Sequence, residues 1–495
     1  MAKIHVDMAR SLGTVDRKIF GGFVEHLGRC IYGGIYEEGS PLSDEQGFRK
    51  DVMEAVRGLQ TPILRWPGGN FVSGYHWADG IGPVEKRPRQ LELAWHSVES
   101  NRFGTDEFME YCRVLGVEPY LCVNMGSGTM DEARAWVEYC NGTGDTYWAN
   151  LRRQNGHEEP YNVKYWGLGN EMYGAWQIGH LSPEDYVKKA IEFAKVMKWT
   201  DPSIQLVGCG EQGWNAWDRV VIEGLAPWID YYSIHLYTGS ANHYSNVFSP
   251  ALAELAIKSS QALIEAARFT QKIEQPIYIA YDEWNIWYRQ QTADSRLEEQ
   301  YTLSDALAIG VYLNTFIRHS DVVKMANLAQ LVNVIAPIFT SPEGLFLQTI
   351  YHPLRLYAEQ TQEIALDVYV DSEQMTLTAE QQRSPWGQQF ADLGPFKLLD
   401  VTATRDEAGK VLTLAVVNRD SERAHETTIK LAEETTITEF TAYEVNGPEV
   451  GSLNSFTEQT VVAAQERILE APGSVRTLSY TFPAHSLTVL RLQLA

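Results

Sequence analysis

Apolar positions along this chain keep two different rhythms. Between about residue 19 and residue 365 they fall in short runs separated by helical stretches. Eight runs have the length of buried strands: Ile19–Glu25, Pro62–Asn70, Pro119–Asn124, Val163–Glu171, Ile204–Glu211, Ile229–Tyr237, Pro276–Glu283 and Val322–Gln330. The clearest helix runs from Ser182 through Trp199. Ser182 offers an N-cap oxygen, Pro183 takes the first helical position, and Glu184 and Asp185 put negative charge in the first turn. Strand and helix alternating in this way predict parallel βα units closed into a (β/α)8 TIM barrel over 19–365, an α/β architecture.

Beyond about residue 365 the period drops to two. Leu366–Val370, Met375–Leu377, Val411–Val417, Thr427–Leu431 and Ser486–Leu494 are short alternating runs. In the last, Leu490, Leu492 and Leu494 share one face while Arg491 and Gln493 take the other. This is the signature of half-buried antiparallel strands, and it predicts a C-terminal antiparallel β-sandwich over 366–495. Residues 2–8 alternate likewise, with Ala2, Ile4, Val6 and Met8 on one side. A lone strand needs a partner sheet, so segment 1–18 is expected to join the C-terminal sandwich.

Composition narrows the classes. The 495 residues are 44% hydrophobic and 21% charged, ordinary globular values that exclude a disordered or collagen-like chain. Lys+Arg number 41 against 64 Asp+Glu, a net charge of −23, which argues against a nucleic-acid backbone or an anionic membrane as partner. No apolar run is long enough to span a bilayer. Residues Met1 to Lys18 lack the apolar core of a secretory leader, so a cytoplasmic location is expected. The five cysteines are odd in number and show no CxxC spacing, against a disulfide framework or zinc site. All but Trp386 of the 14 Trp lie between Trp66 and Trp287, setting the barrel segment apart from the C-terminal segment.

The chemistry sits where the runs end. Their last residues are Glu25, Asn70, Asn124, Glu171, Glu211, His235 with Tyr237, Glu283 and Gln330. Strands end in polar residues partly because loops are solvated. The types are nevertheless carboxylates, amides, imidazole and phenol, as the catalytic face of a barrel requires. Glu171 and Glu283 close the fourth and seventh runs, which places them across the barrel mouth from each other. Two carboxylates flanking one bond are what glycoside hydrolysis needs, one to donate a proton and one to attack. In Tyr281-Asp282-Glu283 simple alternation puts Tyr281 beside Glu283, where its hydroxyl can hydrogen-bond the carboxylate, with Asp282 facing away; a salt-bridged strand end is the alternative. In Gly167-Leu-Gly-Asn-Glu171 it puts both glycines beside Glu171, leaving room for a ligand, with a turn or helix N-cap as the alternative. Pro67-Gly-Gly69 is a tight turn expected to aim Asn70 inward. Arg65 is expected to pair with Glu283 or to hold Glu25, with a buried structural ion pair as the alternative. Trp95, Trp176, Trp284 and Trp287 are candidate sugar platforms, with core packing as the alternative for each.

Several segments carry a family resemblance. Gly169-Asn-Glu171 and Glu283-Trp resemble the acid/base and nucleophile motifs of the large clan of retaining (β/α)8 glycosidases. Phe23-Val-Glu-His-Leu27, Leu64-Arg-Trp-Pro-Gly-Gly-Asn-Phe71, Ser233-Ile-His-Leu-Tyr237, Met325 through Pro337 and Pro483 through Leu492 resemble the family 51 α-L-arabinofuranosidases, in the right order over nearly the whole chain. The resemblance implies a retaining, metal-independent and cofactor-free double displacement, with Glu171 as acid/base and Glu283 as nucleophile. It implies substrate binding by Glu25, Arg65, Asn70, Trp95, Asn170, Tyr237, Trp287 and Gln330. His235 is a further candidate, either hydrogen-bonding the nucleophile or satisfied structurally. The expected substrate is an arabinose-containing oligosaccharide, and the expected assembly a homo-oligomer, hexameric by the same resemblance. Trp66, where the family more often carries Tyr, the segment Trp95 to Gly104 and the short stretch Trp287 to Gln300 depart from the pattern and bear on linkage preference. The alternatives are a β-xylosidase or endoglucanase of the same mechanism and, in a different class, a non-hydrolytic barrel such as a sugar isomerase or sugar-binding protein.

Overall fold

The computed structural model describes residues 1–289, 297–381 and 390–495. Part of the Trp287–Gln300 stretch and Trp386 lie outside the described residues. Eight parallel strands close a barrel: Gly21–Phe23, Ile63–Trp66, Glu118–Cys122, Tyr165–Leu168, Gln205–Gly208, Tyr231–Thr238, Tyr278–Ile286 and Val323–Ala329, the last pairing back onto the first. They are barrel strands one to eight below. Each lies within or across one of the expected runs, but strand four stops at Leu168 and strand two at Trp66, so Glu171 and Asn70 stand on the loops beyond them. The helix Pro183–Thr200 forms as its sequence predicts, with Ser182 Oγ accepting from the Asp185 N–H at 3.2 Å.

Alternation along the strands sorts the two sides of the barrel wall. Ile63, Tyr120, Tyr165, Val207, Tyr231, Ala280 and Met325, one from each of strands two to eight, form a buried cluster that fills the interior. Their neighbours Leu64, Leu121, Trp166, Leu206 and Ile234 face the other way into the larger core shared with the helices. The barrel is therefore plugged, and polar side chains gather only above that layer, at the carboxyl ends of the strands.

Strand seven breaks the alternation. Ala280 pairs with Ser233 but Glu283 pairs with His235, three residues on one strand against two on the other. This bulge turns Asp282 and Glu283 both inward and leaves Tyr281 among the helices, packed on Tyr312 and Phe316. The expected Tyr281–Glu283 contact does not form, because one extra residue shifts the face of everything after it.

The C-terminal part is one largely antiparallel sheet that folds over itself. Its order is Ala2–Thr14, Ile364–Asp371, Leu399–Arg405, Val411–Asn418, Ser486–Leu494, His425–Asn446 and Ala463–Leu469, with Gly473–Phe482 also paired to His425–Asn446. The long strand His425–Asn446 turns back to pair in parallel with Ala2–Val6, which brings the two ends of the sheet together. Ile4, Val6, Leu366, Leu414, Leu490 and Leu492 are buried in the core between the layers. Met375 forms only a two-residue bridge with Phe396, and Leu377 lies outside it.

Candidate active site

The mouth of the barrel opens into a cavity of about 800 Å³ lined by Glu25, Asn70, Trp95, Glu171, His235, Tyr237, Glu283, Trp287 and Gln330, together with an outer rim that includes Trp176, Trp214 and Leu255. Nine of the eleven residues expected at the site thus face one space. Arg65 and Asn170 lie directly beneath it, fully buried.

Glu171 and Glu283 come together here. One oxygen of each, with a ring nitrogen of His235, lie within 4.8 Å of one another. The two carboxylates are thus close enough to flank a single glycosidic bond. Glu283 is held from two sides: Arg65 Nη1 donates to its Oε2 at 2.8 Å and Tyr237 Oη to its Oε1 at 2.8 Å. Tyr237 therefore does what alternation assigned to Tyr281, whose own hydroxyl has no hydrogen-bond partner among the described residues. Arg65 also donates through Nη2 to Asn170 Oδ1 at 2.7 Å, tying the two strand ends together, and makes no contact of this kind with Glu25. Its charge is reinforced, against its burial, by Asp282 and Glu283.

Glu171 is delivered by a turn, not by the pleat. The chain leaves strand four through Gly169 at φ 81° and Glu171 itself at φ 45°, so the expected alignment of Gly167, Gly169 and Glu171 on one face does not occur. Its carboxylate accepts from Trp176 Nε1 at 2.9 Å and Tyr173 Oη at 3.1 Å, and faces His235 Nδ1 at 3.0 Å. Burial pushes this carboxyl up. The hydrogen bond and charge of His235, aided by Trp176 and Tyr173, more than reverse that and leave it below the ordinary carboxylate range. His235 touches Glu171 more closely than Glu283, whose Oε2 is 3.5 Å away. Desolvation lowers the imidazole pKa, but the Glu283 charge and the contacts with Asp282 and Glu171 prevail and hold it at about 10. The three groups also have the spacing of a metal cluster; the raised pKa of His235 opposes its use as a neutral metal ligand.

Glu25 forms the opposite wall. It accepts from Trp95 Nε1 at 2.8 Å, the Phe71 N–H at 3.2 Å and Gln330 Nε2 at 2.9 Å. Burial and the nearby Glu283 charge push its pKa up to about 8. Gly69, at φ 60°, explains the Pro-Gly-Gly turn: a Cβ there would lie 2.1 Å from the Glu25 carboxyl carbon. The turn makes room for Glu25 as well as placing Asn70 on the cavity wall. Trp95 comes from a hairpin, Gln90–Glu92 with Ser97–Glu99, where the Glu92 carboxylate accepts from the Ala94 and Trp95 N–H groups. Trp287 stands edge-on to Tyr237, with 5.3 Å between ring centroids.

Two further expectations are corrected. Trp284 is no platform: it is 1% exposed and packs on Tyr312 and Phe316 behind strand seven. Asn124, although it ends a run, is spent on its own loop, bonding the Tyr75 carbonyl and the Gly126 and Gly128 N–H groups. Asp282, Tyr173 and Trp214 are absent from the sequence-based candidates. The bulge hides Asp282, and the other two lie on loops where no periodicity marks an inward side chain.

A plugged parallel barrel with two carboxylates opposed over one cavity has the layout of a glycoside hydrolase. Comparison with known proteins narrows this. The α-L-arabinofuranosidase 1 domain matches residues 55–250 and the α-L-arabinofuranosidase C-terminal domain residues 282–486. The chain is 45% identical over 504 residues to a probable α-L-arabinofuranosidase C of Aspergillus flavus, covering 99% of this chain and 97% of that protein. It is also 45% identical over 370 residues to the intracellular exo-α-(1→5)-L-arabinofuranosidase 1 of Bacillus subtilis, covering 71% of this chain and 74% of that one. The crystal structure of the α-L-arabinofuranosidase from Thermotoga maritima in complex with arabinose superposes with a TM-score of 0.91 at 42% identity, over the full length of both chains. The chain belongs to the family 51 α-L-arabinofuranosidases.

Proposed function

We propose that the protein removes terminal α-L-arabinofuranosyl residues from arabino-oligosaccharides by double displacement, with Glu283 as nucleophile and Glu171 as acid/base. The observation that carries the reading is the close approach of the two carboxylates over one cavity. Glu283, fixed by Arg65 and Tyr237, attacks the anomeric carbon as Glu171 protonates the departing oxygen. Water, deprotonated by Glu171, then displaces the ester. Glu25, Asn70, Trp95 and Gln330 line the wall where the sugar hydroxyls fall. Asn170 Nδ2, with no partner among the described residues, is the donor for a hydroxyl next to the reacting carbon. Trp287 and Trp176 border the cavity as apolar platforms.

We further propose cytoplasmic action on short oligosaccharides as part of arabinan breakdown. The support is the Bacillus subtilis relative, which is named intracellular. A hexameric assembly accords with the resemblance and is tested by light scattering on the purified protein. The chemistry is tested with a 2-fluoro arabinofuranosyl inactivator bearing an activated leaving group. Mass spectrometry should find the sugar on the peptide containing Glu283; a label on any other residue refutes the assignment.

A further inference from the structure

His235 is buried between three carboxylates. Its Nδ1 lies 3.0 Å from Glu171 Oε1 and 3.5 Å from Glu283 Oε2, and its Nε2 lies 3.3 Å from Asp282 Oδ1. A neutral imidazole carries one N–H, and an ionised carboxylate can only accept, so with Glu171 and Asp282 both ionised each ring nitrogen must donate. The ring satisfies both sides as an imidazolium. Asp282 is in turn anchored away from the cavity: Tyr120 Oη donates to its Oδ2 at 2.7 Å, Ser233 Oγ to its Oδ1 at 2.5 Å, and Arg65 Nε stands 3.6 Å away. It does not line the cavity.

We propose that Asp282 is a positioning residue that stores, on His235, the proton Glu171 uses to expel the leaving group. The proposal deepens the reading of Glu171 as the acid and rests on it. It resolves a conflict in the site, since a general acid needs a proton while Glu171 is held below the ordinary carboxylate range. In the resting site Glu171 and Glu283 are ionised and His235 carries the proton on Nδ1. When substrate displaces water, Glu171 Oε1 takes that proton across the 3.0 Å contact and passes it to the departing oxygen as Glu283 bonds to the anomeric carbon. In the second half Glu171 removes a proton from the attacking water, the C–O bond to Glu283 breaks, and the proton returns to His235. The leaving group departs with one proton, water replaces it, and nothing else is consumed. The raised pKa of His235, about 10, and the depressed one of Asp282, which Arg65 and His235 hold down against its burial, agree with this arrangement. Arg65 from strand two, Tyr120 and Cys122 from strand three, Tyr173 after strand four, Cys209 and Glu211 after strand five and Tyr237 from strand six are the other titratable groups around the imidazole and its anchor.

The test is the pH dependence of kcat/KM in Asp282→Asn. Losing the Asp282 charge weakens the hold on the His235 proton, so the alkaline limb should move down by about one pH unit or more with an alkyl arabinofuranoside, which needs protonation to depart. With a dinitrophenyl leaving group, which does not, the limb should hardly move. An unchanged alkaline limb with the alkyl substrate overturns the proposal. Because Asp282 also neighbours Arg65, a second test uses the unaltered protein: 15N NMR of histidine-labelled enzyme at about pH 8 should show His235 protonated on both nitrogens, and trapping Glu283 as its fluorosugar ester should lower its titration point by more than about one unit. A singly protonated ring in the resting enzyme overturns the proposal. The underlying reading fails separately: if Glu171→Ala loses activity equally on alkyl and dinitrophenyl substrates, Glu171 is not the acid.

Discussion

Single side chains at the barrel mouth are fixed by partners whose loss has separable consequences. Glu171→Ala should abolish most turnover of sugar or alkyl leaving groups while retaining much more on an acidic phenol, because only the former need a proton. Parallel kinetics on the two substrate types read this directly. Gly69→Ala places a methyl group against the Glu25 carboxyl and strains a left-handed backbone. It should cut kcat/KM by about 100-fold or more and lower stability by about 1–3 kcal/mol, measured by kinetics and urea melts. Trp95→Phe keeps the ring face but deletes the indole donor to Glu25. A rise of about tenfold in KM with a smaller change in kcat is expected.

Among the elements, strand seven is the one whose detail decides function. Tyr281→Phe should leave kcat/KM within about twofold, since that hydroxyl reaches no partner among the described residues, whereas Tyr237→Phe, which releases Glu283 Oε1, should cost about tenfold or more. Equal losses in the two variants would contradict the bulge. The same strand shows where sequence reasoning stops. The eight barrel strands are readable because strands buried on both faces appear as continuous apolar runs bounded by polar ends. The opposition of Glu171 and Glu283 comes from counting those strands around a closed ring. A bulge inserts one residue without any change of composition, so Asp282 reads as outward and Tyr281 as inward. The left-handed turn at Gly169 and Glu171 likewise leaves no periodic mark. In the C-terminal sheet, Ser486–Leu494 alternates clearly and forms over those residues. Ala463–Leu469 is largely exposed on both faces and carries no apolar pattern to read.

The whole molecule joins the plugged barrel to a folded-over sheet closed by the chain's own first strand. Ile4 is fully buried there, so Ile4→Ala should lower unfolding free energy by about 2–5 kcal/mol in urea titrations and leave kcat of the folded enzyme unchanged. Charge also acts globally. Glu25 and His235 bind protons more tightly folded than unfolded, so their contributions to stability are lost as pH rises, from 4.5 to about 8 for Glu25 and from 6.5 to about 10 for His235. The depressed carboxyls Asp282 and Glu171 act oppositely, their contribution being lost as pH falls through the carboxylate range. The urea midpoint should therefore fall on the alkaline side of neutrality, and a steady rise to pH 10 would contradict these assignments. The central claim, that Glu171 and Glu283 act in turn on one sugar carbon, is tested most directly by proton NMR of the first-formed product, read before it mutarotates. Release of arabinose with its α configuration retained is predicted; initial appearance of the β anomer would mean a single displacement and would contradict the account.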